Sequence, residues 1–139
     1  MDCDLNEWQC ATAVQLRFND IDTLGHVNNS VYFELFDLGK TDYFTRAAGD
    51  SIDWEQIPIM LVNVNCDFMA QTRYHEPLEV VTRLERIGNS SITLLQALRN
   101  SATGEVKSLC RSTSVYLDLT TSTPTTVPDH WRAALTSLS

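Results

Sequence analysis

The strongest pattern in this chain is a single long helix with an unusually wide apolar face. Between Ser30 and Ala48, apolar residues recur at the three- and four-residue spacing of a helix. Polar side chains occupy only a narrow arc, so we expect other structure to enclose most of this helix. Asn28, Asn29 or Ser30 is predicted to cap its start, and Gly49 to end it. The apolar positions are Val31, Tyr32, Phe33, Leu35, Phe36, Leu38, Tyr43 and Phe44.

The other elements are predicted to be strands, because apolar and polar residues alternate with a period of two. Turn residues separate them, including Gly88-Asn89-Ser90, which is typical of a hairpin. Strands that follow one helix in a run indicate an α+β fold with an antiparallel sheet. A curved sheet of about five strands wrapped around one long central helix would bury both apolar faces. The predicted strands span 11–19, 60–69, 79–87, 91–99 and 105–119, and a short terminal helix spans 128–138.

Length and charge limit the classes of protein. With 139 residues, the chain is expected to be one domain over residues 1–139. The net charge of −8 argues against a nucleic-acid partner. The sequence contains no apolar run near the roughly 20 residues of a membrane span, and its N-terminus does not resemble a signal peptide. We therefore expect a cytoplasmic protein with reduced thiols at Cys3, Cys10, Cys66 and Cys110.

Several familiar site motifs are missing from the sequence. It has neither the glycine-rich loops that bind nucleotide phosphates nor a GxSxG nucleophile elbow. The three histidines, His26, His75 and His130, are far apart and form no close cluster with cysteines. We therefore predict no metal site and no resident cofactor.

The segment 17–33 contains the residues best suited to chemistry. It places Asp22, His26 and two carboxamides in a loop directly before the long helix. The start of a helix carries free N–H groups and a partial positive charge, which stabilise a developing oxyanion. Acyl transfer needs such donors opposite a base or nucleophile. From residue types alone, a structural role is favoured, in which Asp22 shapes a turn, His26 packs, and Asn28 and Asn29 only cap the helix.

The same segment resembles a known family signature. Its pattern is Arg17-Phe18-x-Asp20-x-Asp22-x-x-Gly25-His26-Val27-Asn28-Asn29-x-x-Tyr32, which is similar to the hotdog-fold acyl-CoA thioesterases related to 4-hydroxybenzoyl-CoA thioesterase. The likeness continues in Tyr74-x-x-Pro77-Leu78, in the turn after Ile87 and in the end of the last strand. It covers roughly residues 12 to 130. The resemblance implies a hotdog fold, a long helix wrapped by an antiparallel sheet.

The resemblance also implies roles for single residues. Asp22 matches the catalytic carboxylate, acting as a general base or as a nucleophile, and the backbone N–H of Asn29 would polarise the thioester carbonyl. His26 would either take part in proton transfer or orient the loop, and Leu24 stands where the plant acyl-carrier-protein thioesterases have an asparagine. Asp20 is expected to be structural. Substrate contacts are expected at Gly25, Val27, Asn28, Tyr32, Arg73, Gly88, Asn89 and Ser90.

The predicted function is hydrolysis of an acyl-CoA or acyl-carrier-protein thioester to free acid and thiol, within fatty acid metabolism. Coenzyme A would enter only as part of the substrate. Two alternatives are a non-catalytic module that binds the same ligands and a hotdog hydratase or dehydratase. An open sheet edge leaves N–H and C=O groups unpaired, so we also expect a homodimer joined edge to edge, or a homotetramer, with the site shared between subunits.

Overall fold

The computed structural model describes residues 7–49 and 55–138. Within those residues the chain forms two α-helices, six strands and one turn of 3-10 helix at Phe18–Asp20. Neither helix is long and apolar enough to cross a membrane. In chain order the elements are β1 (Cys10–Val14), α1 (Asn29–Ala48), β2 (Ile59–Phe68), β3 (Leu78–Ile87), β4 (Ser91–Asn100), β5 (Val106–Asp118), β6 (Thr123–Pro124) and α2 (Asp129–Ser137).

The strands form one antiparallel sheet in the order β1-β3-β4-β5-β2, and the short β6 pairs with β5. Helix α1 packs against the sheet, and its side chains Phe36 and Tyr43 are almost fully buried. The predicted α+β class, with one long helix against an antiparallel sheet, is confirmed. This is the arrangement implied by the hotdog resemblance.

Local chemistry explains the limits and depth of α1. Asn28 caps the helix, since its side-chain oxygen accepts from the N–H of Ser30 at 3.1 Å. Gly49 ends it with a φ of 60°, which glycine adopts without strain. In mid-helix, a Cβ on Gly39 would collide with Val80 and Gln96. Only glycine therefore lets α1 approach β3 and β4 this closely.

The prediction for the first strand was wrong beyond Val14. Phe18, expected on a buried face, is 82% exposed and lies in the 3-10 turn. The cause is Asp20, which is buried and accepts from the backbone N–H of Arg17 at 2.7 Å, so that the chain turns. The structural role expected for Asp20 is confirmed.

Helix α1 is less enclosed than its apolar arc suggests. Leu38 is 54% exposed, and Phe33 is also exposed. Strand β2, at the edge of the sheet, is similarly open, since it pairs only with β5 and exposes Met60, Leu61, Val62 and Phe68. The exposed apolar surface of this chain is therefore concentrated along one helix and the neighbouring sheet edge.

The thiols agree with the expectation of reduced cysteines where the structure describes them. Cys10, Cys66 and Cys110 are free. Cys3 and the segment 1–6 lie outside the described residues.

Candidate active site

The loop between β1 and α1 folds into a tight turn that positions Asp22. Ile21 and Val27 form an isolated antiparallel bridge, and the N–H of Asp22 donates to the carbonyl of His26 at 2.8 Å. Gly25 occupies the left-handed region with a φ of 80°, which the turn requires. These bonds hold Asp22 and His26 at fixed positions just before the helix.

Among the described residues, only one of the two carboxylate oxygens of Asp22 accepts hydrogen bonds. Its Oδ1 accepts from the backbone N–H groups of Leu24 at 2.9 Å and His26 at 3.1 Å. Among the residues that the structure describes, its Oδ2 has no hydrogen-bond partner, and the residue is exposed to solvent. Asp22 therefore combines a fixed orientation with one oxygen available for chemistry.

The first turn of α1 supplies donors. Asn28 uses its side chain on Ser30 and its carbonyl on the N–H of Val31, so it serves as the cap. Asn29 is the first helical residue, and its N–H has no acceptor among the described residues. This amide lies at the positive end of the helix dipole, where a polarised carbonyl oxygen is stabilised.

A cleft of about 350 Å³ opens beside this turn. Four of the predicted site residues line it, namely His26, Val27, Asn29 and Tyr32. Its opposite wall comes from the end of β2 and the segment after it, which the sequence analysis did not identify. In the sequence, only the adjacent apolar residues Phe68 and Met69 at this strand end could have signalled it, and the structure exposes 55% of Met69. The wall residues are Phe68, Met69, Ala70, Gln71 and Thr72.

Tyr32 joins the two walls of this cleft. Its hydroxyl donates to Oγ1 of Thr72 at 2.9 Å, and both groups are buried. Its ring meets Phe68 edge to face, with 5.0 Å between the ring centroids. The helix and the wall segment are therefore held together through Tyr32.

The remaining predicted residues lie outside the cleft of their own chain. Asp22, Gly25 and Asn28 belong to the adjoining turn and are not among its lining residues. Arg73 follows the wall segment, where its N–H donates to Oε2 of Glu76 at 2.8 Å. The structure therefore brings four of the predicted site residues together in the cleft, and Asp22 lies in the turn beside this cleft.

The turn Gly88-Asn89-Ser90 lies at the other end of the sheet. Strand β3 runs its full ten residues between the cleft end and this turn, which is about 30 Å at the usual rise per residue. The C-terminal segment holds the turn, since Arg132 donates to the carbonyls of Gly88 at 2.7 Å and Asn89 at 2.9 Å. Within one chain, this turn and the cleft are not brought together.

A second, more apolar cleft of about 400 Å³ runs along α1 at that far end. Phe44 and Trp131 form its inner part, and Ile59 and Leu61 of the edge strand close one side. Lys40 and Asp37, paired at 3.3 Å, lie on its polar side. It offers room for a hydrocarbon group next to the exposed sheet edge.

An ion cluster around the buried Lys107 lies behind the wall of the first cleft. Lys107 donates to Glu76 at 2.7 Å and also to Glu105. Burial by itself would lower the pKa of Lys107, but the hydrogen bonds to Glu105 and Glu76 raise it above its ordinary value. These hydrogen bonds therefore favour the charged form of Lys107. Across the described ranges, no group of three or more His, Cys, Asp or Glu side chains is placed to hold a metal ion.

Comparison with known proteins places this geometry in context. The profile of the Thioesterase-like superfamily matches residues 16–135. The protein YsmA of Bacillus subtilis (strain 168) is 28% identical over 98 residues, which are 68% of this chain and 66% of that protein. The chain thus spans just under two thirds of the length of this relative.

Two further matches carry descriptive names. The long-chain acyl-CoA thioesterase FadM of Escherichia coli (strain K12) is 26% identical over 113 residues, covering 79% of this chain and 84% of that enzyme. A thioesterase from Thermus thermophilus, solved with coenzyme A and Zn, superposes with a TM-score of 0.85 at 24% identity. That superposition covers 96% of both chains and shows a shared fold.

Proposed function

The chain belongs to the thioesterase-like superfamily, and we propose that it hydrolyses an acyl-CoA thioester to a free acid and coenzyme A. The observation that carries this proposal is the pairing of Asp22, with one free carboxylate oxygen, and the unpaired amide of Asn29 at the start of α1. Acyl transfer to water needs a base or nucleophile and an oxyanion donor. Both are present at the same end of the molecule.

In the proposed reaction, the thioester carbonyl oxygen accepts a hydrogen bond from the N–H of Asn29. Asp22 then either removes a proton from the attacking water or attacks the carbonyl carbon itself. In the first route, the C–S bond breaks and the thiolate takes up the proton. In the second, the C–S bond breaks as Asp22 attacks, the thiolate leaves, and water then cleaves the acyl–carboxylate anhydride and supplies the proton that the thiolate takes up. A single turnover in oxygen-labelled water that places label in the carboxylate of Asp22 demonstrates the nucleophilic route with water attack at the Asp22 carboxyl carbon, and chemical trapping of the acylated Asp22 tests the same route when water attacks the acyl carbon.

We also propose that the active unit is a dimer formed through β2. This ten-residue edge strand exposes Met60, Val62 and Phe68, whereas the other edge, β1, has only five residues. A long apolar edge is the kind of surface that proteins pair or cover. A two-fold axis makes the two β2 strands antiparallel. Two such dimers can associate further into a tetramer.

This pairing would unite features that lie far apart in one chain. Antiparallel β2 strands set the Phe68 end of one copy beside the Ile59 end of the other. The turn Gly88–Ser90 of the second copy would then lie three to four strand spacings away from Phe68, roughly 17 Å at about 4.8 Å per spacing. The apolar cleft along the second α1 would be equally near. Each site would then draw on both subunits for acyl chain and coenzyme A contacts.

The coenzyme A ester is the proposed substrate form for two reasons. The relative FadM is a long-chain acyl-CoA thioesterase by name, and the Thermus thermophilus thioesterase was solved with coenzyme A. The apolar cleft fits a fatty acyl group, which would place the protein in cytoplasmic fatty acid metabolism. Water, a carboxylate and an amide donor balance the reaction, so the proposed mechanism needs no resident cofactor or metal.

The test is thiol release from a panel of acyl-CoAs of increasing chain length, with an acyl-carrier-protein thioester as a further substrate. We expect thiol release from at least one acyl-CoA. Faster hydrolysis of the acyl-carrier-protein thioester would show that the carrier protein, and not coenzyme A, carries the acyl group of the substrate. Loss of enoyl absorbance without thiol would indicate a hydratase, and binding without turnover a non-catalytic module. Sedimentation tests the dimer, and a fully active monomer of 15.7 kDa would contradict the shared site.

A further inference from the structure

Lys107 occupies an irregular position in the sheet. The register between β4 and β5 shifts here, since Leu98 pairs with Ser108 and Arg99 pairs with Val106, which leaves Lys107 between them as the extra residue of a bulge. Its side chain is only 3% exposed. Lysine is almost never buried this deeply unless it is paired. Bulges are frequent next to active sites, where they re-aim a side chain.

Lys107 binds the wall of the candidate cleft through both its main chain and its side chain. Its carbonyl accepts from the N–H groups of Met69 at 2.8 Å and Ala70 at 3.2 Å. Its ammonium donates to the carbonyl of Gln71 at 3.1 Å and to the carboxylate of Glu76 at 2.7 Å. The wall segment 69–72 therefore rests on one buried residue.

The opposite side of this segment is held by the helix that carries the oxyanion donor. Thr72 accepts from Tyr32, on the first turn of α1, at 2.9 Å. The other oxygen of Glu76 accepts from the N–H of Arg73 at 2.8 Å, which closes the loop around the ammonium. The segment is thus clamped between Lys107 and the helix start, and the width of the cleft depends on both contacts.

We propose that Lys107 is a positioning residue that fixes the 69–72 wall and so determines which acyl groups the cleft accepts. The proposal rests on the proposed function, because it assigns the cleft to the acyl thioester. A charged donor suits this role because one ammonium holds two carboxylates and a carbonyl at once. Charge-assisted hydrogen bonds are also about twice as strong as neutral ones.

The test begins with Lys107→Met, which keeps the aliphatic stem but loses the ammonium. We expect the ratio of kcat/KM between long and short acyl-CoAs to change by roughly tenfold, mostly through KM, a size typical of altered apolar pocket contacts. Hydrogen exchange at the amides of Met69 and Ala70 should accelerate, because the segment keeps the main-chain carbonyl of residue 107 but loses the ammonium contact to Gln71 that holds it closed.

Two companion variants separate positioning from stability. Arg111→Met removes an ion-paired cation from the same strand, 2.7 Å from Glu85, and should leave the selectivity ratio unchanged. The double variant Lys107→Met/Glu76→Gln also removes the charge of Glu76, the more buried of the two carboxylates that the first change deprives of the ammonium. We expect it to regain thermal stability while its selectivity stays altered.

Selectivity that returns with stability in the double variant, or that changes equally in Arg111→Met, would overturn the proposal. Unchanged exchange at Met69 and Ala70 in Lys107→Met would also overturn it. If the wild-type protein hydrolyses no acyl-CoA, the proposed function fails, and the same variants are then compared by calorimetric binding of non-hydrolysable long- and short-chain thioether analogues. A ratio of dissociation constants that Lys107→Met leaves unchanged refutes the positioning role on its own.

Discussion

Replacing Asp22 by asparagine isolates the chemical role of its carboxylate. In the structure, Oδ1 of Asp22 accepts from the backbone N–H groups of Leu24 and His26 at 2.9 and 3.1 Å. The amide oxygen of asparagine accepts the same two bonds. Asp22→Asn should therefore keep the turn and its fixed orientation while removing the negative charge and the basic oxygen.

The expected loss follows from the proton transfer assigned to this group. General-base catalysis by a positioned side chain contributes about 10²- to 10⁴-fold. At about 1.36 kcal/mol per factor of ten, this is roughly 2.7 to 5.4 kcal/mol of transition-state stabilisation. Because Asp22 is not a lining residue of the cleft, KM should change little. Loss of kcat at constant KM indicates an interaction made only in the transition state.

Thiol release under single-turnover conditions measures the chemical step directly. Asp22→Ala is the matched control, since it also removes both turn hydrogen bonds, each contributing about 0.5–1.5 kcal/mol to stability. The alanine variant should lose the same activity and in addition unfold at lower temperature. An asparagine variant that retains more than roughly a third of wild-type turnover, well outside the range for a general base, would remove Asp22 from the mechanism.

Three further predictions address other parts of the molecule. If His26 only orients the turn, His26→Asn should lower kcat/KM modestly and keep the shape of its pH profile, whereas loss of one limb would indicate direct proton transfer. Val62→Lys on the edge strand should shift sedimentation towards monomer and lower activity, while Ala13→Lys on the opposite edge should do neither. Burial raises the pKa of Glu76, but the hydrogen bonds that it accepts from Lys107, the N–H of Arg73 and Asn100, together with the charge of Lys107, hold this pKa below its ordinary value. Glu76 therefore stabilises the fold above a pH of about 4.3, the usual pKa of glutamate, and this stabilisation is lost as the pH falls below that value. In Glu76→Gln, the free energy of unfolding measured with urea should fall less steeply at acid pH.

The helix was predictable because its signals are local. Asn28 and Gly49 mark its ends through their own backbone and capping chemistry, and the structure places α1 at Asn29–Ala48. The end of the first strand was predicted too late, because the alternating pattern continues up to Phe18 although Asp20 has already turned the chain. That side chain accepts from the N–H of Arg17 and turns the chain, a contact that a periodicity analysis does not weigh.

The site was predictable only in its sequence-local half. The turn around Asp22 and the helix start at Asn29 follow one another along the chain, so their proximity could be inferred. The wall from Phe68 to Thr72 comes from a segment some forty residues later and reaches the helix through sheet pairing. The position of Lys107 behind this wall could not be predicted for the same reason, since it depends on a bulge between β4 and β5.

Within one chain, the free amide of Asn29 and the larger apolar cleft lie at different halves of helix α1. Asn29 begins α1 beside the smaller cleft, and Phe44, near the other end, faces the apolar cleft with Trp131. Fifteen residues of helix separate Asn29 from Phe44, about 23 Å along the axis, which is too far for one short acyl thioester to use both. The exposed β2 edge runs between them, and two-fold pairing along it reverses direction. In the dimer that we propose, the apolar cleft of one copy would lie beside the polar end of the other, so each chain would supply the part of the site that its partner lacks.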